Sequence, residues 1–249
     1  MTTQDLLFSG WEWEPSVLIG CAALAAAYLI WARGSGAQVL CFLSGVVLLL
    51  LDLVSPIDKL GDGYLFSAHV LQHFLLALII PMLLVSGVRA SALPPPFRAA
   101  WPFLTWTLGV GTMLAWHLPP LFNAALASTP LHIFQHLTFL ATGVIFWWPV
   151  FKEPRLAPFP AIAYLFSACT ACSLLGAVLT FTPPGLYPAY LRPDDSDSIM
   201  RLVRNEWGLD PKNDQQLGGM LMWVPGCLVY LSAILASVAR WYGAARQEA

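Results

Sequence analysis

Stretches of about 20 apolar, nearly uncharged residues recur along the whole chain, and they constrain its fold more than any other feature. A helix of about 20 such residues crosses the hydrocarbon core of a bilayer. Backbone polar groups find no partners in lipid, so continuous apolar runs of this kind form helices, whereas a membrane barrel shows short alternating segments. We predict an all-α integral membrane protein with about seven transmembrane helices, near 16–33, 36–56, 66–87, 100–118, 131–151, 158–181 and 215–241.

The composition excludes an ordinary soluble domain. Of the 249 residues, 58% are hydrophobic and 10% are charged, against roughly a quarter charged in an average soluble domain. The segment before the first span carries Asp5, Glu12 and Glu14 but no lysine or arginine, so we expect no cleavable signal peptide. We predict one membrane domain over 1–249, with a longer loop at about 183–214.

The distribution of lysine and arginine between alternate loops predicts the orientation, because cytoplasmic loops carry the excess of these residues. One set of loops holds Arg33, Arg89, Arg98, Lys152, Arg155, Arg240 and Arg246. The other set holds Lys59, Arg192, Arg201, Arg204 and Lys212. The larger set is therefore predicted to be cytoplasmic, which places the N-terminus outside and the C-terminus inside.

The long loop is predicted to contain one short helix. Ser198 is a suitable N-cap and Gly208 a suitable stop. Two interpretations stay open at this point: the helix lies on the outer surface or against a partner, or the loop packs on the helix ends. The apolar side chains of this helix are Ile199, Leu202, Val203 and Trp207.

All five histidines are predicted to lie at one face of the membrane. His69 and His73 open the third span, His132 and His136 open the fifth, and His117 closes the fourth. Residues at i and i+4 share a helix face, and the third and fifth spans run in the same direction. Two pairs of imidazoles can therefore meet at one depth, as a transition-metal site requires. The competing interpretation is that each histidine only forms hydrogen bonds between helices.

The residues between the paired histidines refine this hypothesis. Val70 and Ile133 stand where a zinc protease motif needs glutamate, so that chemistry is disfavoured. Gln72 and Gln135 occupy matching positions and could orient the ligands. We expect a metal site rather than a catalytic site.

Three further residues are candidates for completing the site. Asp52 ends the second span, and Asp214 and Met222 share one face at the start of the seventh. Carboxylate and thioether groups bind metals, and the thioether favours Cu(I). The competing roles are a helix-end charge for the two aspartates and packing for the methionine.

The cysteines fall inside predicted spans, which excludes a disulfide framework in the loops. Cys169 and Cys172 lie among small residues in the sixth span, a composition typical of close helix packing. A soft-metal relay is the alternative for this pair.

Several pieces of the chain, in order, resemble the CtaG-type family of cytochrome c oxidase assembly factors. They are Ser55-Pro56 with Asp52 and Asp58; His69-Val70-Leu71-Gln72-His73; Pro130-Leu131-His132-Ile133-Phe134-Gln135-His136; Phe146-Trp147-Trp148-Pro149; and Asp214-Gln215-Gln216-Leu217-Gly218-Gly219-Met220-Leu221-Met222-Trp223-Val224-Pro225. The resemblance covers about residues 50 to 230. It implies a multi-pass protein of the bacterial cytoplasmic membrane that matures a haem–copper oxidase by delivering copper.

We therefore expect a copper-binding membrane chaperone without enzymatic activity, with zinc and haem as the other groups that histidines could hold. Its expected partners are membrane lipid, an oxidase subunit and a copper donor, and no nucleic acid. The alternatives are a copper permease, a haem-binding subunit of a respiratory complex and a scaffolding subunit that binds no metal.

Overall fold

The computed structural model describes residues 2–31, 34–89, 101–152, 155–191 and 199–247, and the side chains up to residue 243. Within these residues, every regular element is helical. The main helices are α1 (Thr3–Ser9), α2 (Pro15–Trp31), α3 (Gly36–Val54), α4 (Pro56–Gly63), α5 (Phe66–Gly87), α6 (Trp101–Trp116), α7 (Pro119–Leu126), α8 (Thr129–Phe151), α9 (Pro158–Phe181), α10 (Ile199–Arg201) and α11 (Pro211–Gln247).

Five of these helices are long and apolar enough to cross a membrane: α3, α5, α8, α9 and the part of α11 from Pro211 to Gly243. The two remaining predicted spans are also helices, but shorter ones of 17 residues in α2 and 16 residues in α6. The prediction of an all-helical membrane protein is confirmed. The number of seven spans and the orientation of the termini stay predictions, and several of the loop charges used for the orientation lie outside the described residues.

The histidines lie at one end of the bundle, here called the histidine end. Two short helices, α4 and α7, connect the spans at this end and were not predicted from the sequence. Both α4 and α7 begin with proline, at Pro56 and Pro119, where its fixed φ and missing N–H are compatible with the first helical turn. The Ser55 hydroxyl accepts a hydrogen bond from the Ile57 N–H at 3.4 Å, which begins α4 directly after α3.

The short helix of the long loop packs on the helix ends. Its proposed cap, Ser198, lies outside the described residues. α10 continues as a π-helical turn over Leu202–Glu206, and Gly208, with a φ of +67°, ends the segment. The buried side chains of this small core are Leu6, Leu60, Tyr64, Leu65, Ile199, Leu202 and Val203. The second interpretation of the loop therefore holds for the described residues.

Among the described helices, α9 and α11 have the most extensive contact with each other. A side chain at Gly176 would place its Cβ 2.8 Å from the carbonyl oxygen of Gly219. Only glycine allows the two backbones to approach this closely, as is common between membrane helices.

Asp214, near the start of α11, caps a different helix. Its carboxylate accepts hydrogen bonds from the Phe66 N–H at 2.8 Å, the Ser67 N–H at 3.0 Å and the Ser67 hydroxyl at 2.6 Å. The first N–H groups of a helix have no partner within it and attract negative charge. Asp214 therefore fixes the start of α5, and thus the height of His69 and His73.

Replacing this cap tests the arrangement. Asp214→Ala leaves the N–H groups of α5 without their acceptor, at a cost of about 1–3 kcal/mol. We expect a lower apparent melting temperature of the detergent-solubilised protein, followed by tryptophan fluorescence. The control is Glu206→Ala, which removes an exposed acid at the same end. Equal melting temperatures for both variants would contradict the capping role.

Candidate metal centre

The two helices that carry the paired histidines, α5 and α8, are in backbone contact. A Cβ at Gly143 of α8 would lie 2.5 Å from the Ala77 carbonyl oxygen and 2.6 Å from the Pro81 ring of α5. Glycine is therefore required at this crossing. The crossing lies about one turn beyond His73 and two turns beyond His136, so it sets how closely the two histidine faces approach each other.

The same stretch of α5 departs from regular α-helix. Leu75–Ile79 forms a π-helical turn just before Pro81, which lacks an N–H group. Trp147 of α8, fully buried, donates from its indole nitrogen to the Leu78 carbonyl oxygen at 2.9 Å. This bond satisfies a carbonyl in the irregular turn and ties α8 to it.

The structure brings the four paired histidines together. One ligand nitrogen from each of His69, His73, His132 and His136 can be chosen so that all four lie within 4.8 Å of one another. Imidazole nitrogens bind a metal at about 2.1 Å, which places them roughly 3.4 Å apart around a tetrahedral ion. The nitrogens that lie farthest apart would have to approach each other by roughly 1.4 Å to share one tetrahedral ion.

The cluster is withdrawn from water and lacks hydrogen-bond partners. His69 and His73 are 0% and 2% exposed, and His132 and His136 are half-buried. The Nε2 atoms of all four rings are buried without a hydrogen-bond partner among the described residues. Buried polar groups are normally paired, so four histidines that lie together and each carry an unpaired ring nitrogen indicate a site for a ligand.

Two of the rings are oriented by acceptors on α4. The Nδ1 of His69 lies 3.2 Å from the Gly61 carbonyl oxygen, and the Nδ1 of His132 lies 3.4 Å from a carboxylate oxygen of Asp62. The Gly61 carbonyl oxygen can only accept a hydrogen bond, so the Nδ1 of His69 carries the proton and its Nε2 keeps its lone pair. The Asp62 carboxylate lies against the ring nitrogen of His132 as a charged neighbour. Metal-binding histidines are commonly held in this way.

A glutamine links the cluster to α3 and α4. Gln72, fully buried, donates from its amide nitrogen to the Asp58 carboxylate at 2.7 Å and to the Asp52 carbonyl oxygen at 3.1 Å. Gln135, the matching residue of α8, is also buried, and neither of its amide atoms has a partner among the described residues. The two repeats therefore differ in their surroundings.

The carboxylates of α4 make this side of the cluster acidic. Burial raises the pKa of Asp58 to about 6, and the negative charge of Asp62 adds to the shift. Burial also raises the pKa of Asp62 to about 6, with a further contribution from Glu12. Both groups remain mostly ionised at pH 7, and the side chain of Asp62 is 48% exposed. They attract cations to the edge of the cluster next to His132.

The long loop covers the histidine end. The Tyr190 hydroxyl donates to the Gly61 carbonyl at 2.7 Å, and the Tyr187 hydroxyl donates to the His117 carbonyl at 2.8 Å. The ring of Phe122, fully buried on α7, lies 4.8 Å from that of His69 and 6.0 Å from that of His73. Aromatic side chains therefore close the cluster on the side of Phe122 and the long loop, and the edge beside His132 and Asp62 stays partly exposed.

The other predicted site residues lie near the cluster but outside the group of four. His117 is buried, with its ring centroid 5.7 Å from that of His73. Asp52 is 1% exposed, which excludes a water-facing charge, and its carboxylate oxygens have no partner among the described residues. The carboxylate of Asp214 is occupied by the start of α5, and Met222 lines a cavity beside His73.

The contacts of α4 with the histidines were not predicted from the sequence. Asp58 was noted only for its place in a motif, and Gly61 and Asp62 were not singled out. A sequence pattern was present, since Asp58 and Asp62 follow the helix start at Ser55-Pro56 and are four residues apart, about one helical turn. The histidines they would face, however, become apparent only once α4 folds back against α5.

Comparison with known families agrees with this architecture. The family model described as "Cytochrome c oxidase caa3 assembly factor (Caa3_CtaG)" matches residues 21–244, which include all five histidines. The chain belongs to this family. The resemblance inferred from the motifs is thereby confirmed, and the family is one of assembly factors for cytochrome c oxidase.

Curated relatives of the chain are longer proteins. An uncharacterized protein of Mycobacterium leprae is 26% identical over 275 residues, covering 95% of this chain and 40% of the relative. Uncharacterized proteins of Mycobacterium bovis and Mycobacterium tuberculosis are each 26% identical over 258 residues, covering 92% of this chain and 37% of the relative. The chain thus spans about two fifths of the length of these relatives. No solved structure matches it significantly.

The crossing of α5 and α8 can be tested by adding one methyl group. Gly143→Ala forces the two helices apart, and we expect Zn²⁺ affinity, measured by chelator competition, to fall about 10–100-fold because the ligands lose their geometry. Gly111→Ala is the matched control, since a Cβ there meets no atom within 4 Å. Unchanged affinity in Gly143→Ala would show that the crossing does not set the spacing of the histidines.

Proposed function

We propose that this protein holds copper at His69, His73, His132 and His136 and delivers it to a cytochrome c oxidase during assembly. The observation that carries the proposal is that one ring nitrogen from each of the four histidines lies within 4.8 Å of the others, and that their buried Nε2 atoms have no partner among the described residues. Family membership supplies the biological setting, and the geometry supplies a place for the metal.

The arrangement fits ligand binding better than histidines that serve only in packing. A buried polar atom without a partner costs about 1–3 kcal/mol, and polar groups in membrane helices normally find partners or mark a functional site. Hydrogen bonding between helices would pair the ring nitrogens of α5 with groups on α8. Instead, ring nitrogens from both helices lie close together, and the Nε2 atoms have no hydrogen-bond partner among the described residues.

Copper is the metal that best fits both the donors and the family. Neutral imidazole binds copper, zinc, iron and nickel, and Cu²⁺ binds a given nitrogen site more tightly than Zn²⁺. The family consists of assembly factors for a cytochrome c oxidase. The resemblance implies a haem–copper oxidase, whose reaction centre needs copper. We therefore assign the site to copper, and zinc serves as a redox-inert probe of the same ligands.

The proposed location of the site is the outer face of a bacterial cytoplasmic membrane. This follows from seven spans with the N-terminus outside, an orientation supported by the lysine and arginine distribution. Copper would arrive from a donor protein along the edge formed by Asp62 and His132, where the cluster is least buried. The negative charges of Asp58 and Asp62 favour a cation there.

Delivery would proceed by ligand exchange, without a catalytic reaction. The four histidines hold the metal on helices and leave it near the membrane surface, where a subunit of the oxidase can offer its own histidines. The hydrogen bond to Gly61 keeps the Nε2 atom of His69 ready to bind, and the Asp62 carboxylate lies against the ring of His132. The partners in this proposal are the oxidase subunit, the copper donor and the surrounding lipid.

The metal site is tested with purified protein. We expect about one equivalent of Zn²⁺ or Cu²⁺ bound to the wild type and a loss of affinity of about 100-fold or more in His73→Ala, as removal of one of four ligands would give. His117→Ala is the matched control, because His117 lies outside the group of four, and it should keep its Zn²⁺. No metal above background in the wild type would falsify the copper assignment, and a Soret absorption band would indicate haem instead.

Oxidase maturation tests the function in cells. In a strain that lacks the protein, we expect the wild type to restore copper in the purified oxidase and His136→Ala to leave it copper-deficient, because one ligand of the delivery site is absent. Immunoblotting of membranes checks that the variant is present. Full copper content in the presence of His136→Ala would reject delivery through this site, and oxidase loss independent of bound metal would favour a scaffolding role.

A further inference from the structure

A cavity lies beside the four-histidine cluster and is lined by sulfur. It has a volume of about 40 Å³, enough for an ion or a water molecule. Among its lining residues, those that can bind a metal are His73, His117, Met113, Cys172 and Met222. The remaining walls are mostly apolar, so these groups are the main source of binding chemistry.

Two sulfur atoms meet at one wall of this cavity. The Cys172 thiol on α9 lies 3.1 Å from the Met113 thioether on α6, and both residues are 7% exposed. The thiol donates a weak hydrogen bond to this thioether and also lies 3.8 Å from the Tyr230 hydroxyl. A thiol and a thioether from separate helices thus share one buried position.

His117 adds a nitrogen donor to the two sulfurs. It stands one turn from Met113 on α6, and its Nδ1 lies 2.8 Å from the Met113 carbonyl oxygen. That bond places the proton on Nδ1 and leaves a lone pair on Nε2. The Nε2 atom is buried without a partner among the described residues, and the residue is 4% exposed.

We infer that Met113, Cys172 and His117 form a second metal site, selective for Cu(I) and separate from the four histidines. Thiolate and thioether are soft ligands that select Cu(I), whereas an all-imidazole site accepts several divalent metals. The inference rests on the proposed copper function for its biological meaning. Its chemistry depends only on the three donors.

Binding requires a small movement and the release of one proton. Sulfur donors at about 2.3 Å from a three- or four-coordinate ion lie roughly 3.8 Å apart, so the two sulfur atoms must separate by several tenths of an ångström. Methionine has three rotatable side-chain bonds and adapts readily, and the cavity offers the space. As the Cys172 sulfur binds Cu(I), its thiol proton passes to water, and no electron is transferred.

His73 connects the two sites. It belongs to the four-histidine group and also lines the cavity, and neither of its ring nitrogens has a hydrogen-bond partner among the described residues. Its ring centroid lies 4.2 Å from that of His69 and 5.7 Å from that of His117. His73 therefore lies between the two proposed sites and can offer a ring nitrogen to either of them.

The test uses two metals that separate the sites. Ag⁺ is a soft, redox-inert substitute for Cu(I), and Zn²⁺ reports the four histidines. The parent protein carries Cys21→Ala, Cys41→Ala, Cys169→Ala and Cys227→Ala, which leaves Cys172 as the only thiol of the sequence. We expect this parent to bind about one Ag⁺ tightly under reducing conditions.

Adding Met113→Leu and Cys172→Ala to the parent should weaken Ag⁺ binding by about 100-fold or more and leave Zn²⁺ affinity within about threefold. His132→Ala should weaken Zn²⁺ binding by about 100-fold or more and leave Ag⁺ affinity within about threefold. The matched control is Met220→Leu, whose side chain is 47% exposed. Each variant is first checked for a melting temperature close to that of the parent, and Cys172→Ser replaces the double change where packing fails.

The outcomes separate this inference from the proposed function. Ag⁺ binding unaffected by loss of Met113 and Cys172, or a parallel loss of Ag⁺ and Zn²⁺, overturns the second site. If the wild type binds no Zn²⁺ but the parent binds Ag⁺ through Cys172, the four-histidine proposal fails and the sulfur site stands. X-ray absorption of the Cu(I)-loaded parent should show sulfur neighbours at about 2.3 Å, and a nitrogen-only shell also rejects the assignment.

Discussion

The contact between α5 and α8 at Gly143 is the constraint on which the candidate metal centre depends. Within lipid, apolar surfaces gain nothing from leaving water, so close van der Waals packing has to hold membrane helices together. Glycine allows backbone contact with Ala77 and Pro81, and Trp147 adds a hydrogen bond to the irregular turn. Because the two parallel helices are in backbone contact here, their histidine pairs at positions i and i+4 lie within reach of one ion.

The histidine end is then built around that contact by groups from distant parts of the chain. Asp214 on α11 sets the start of α5. Helix α4 supplies the Gly61 carbonyl, which accepts a hydrogen bond from His69, and the Asp62 carboxylate, which lies against His132. Tyr190 donates to the same Gly61 carbonyl, so the long loop and His69 share one acceptor. Movement of the loop would therefore be transmitted to the ring orientation of a proposed ligand.

The sequence was sufficient for the all-helical fold and for the grouping of the four paired histidines, and physical reasons explain the rest. Apolar length predicts membrane helices because lipid offers the backbone no partners, and the spacing of His132 and His136 predicts a shared face. The partner of Asp214 lies 147 to 148 residues away, and no local pattern encodes such a pairing. Likewise Cys172 meets Met113 across 59 residues, whereas its own neighbourhood indicates only close packing.

Unpaired polar atoms connect the structure to its function. At about 1–3 kcal/mol each, the free Nε2 atoms of four rings cost as much as a large part of the stability of a typical domain. Metal binding, as proposed, would recover this cost, since coordination would replace the missing hydrogen bonds together. The unpaired nitrogens of His73, between the four-histidine cluster and the sulfur-lined cavity, extend this argument beyond one ion. A permanent metal site needs no second set of donors beside it, whereas the delivery proposed for this protein would gain a route for exchange from such a set.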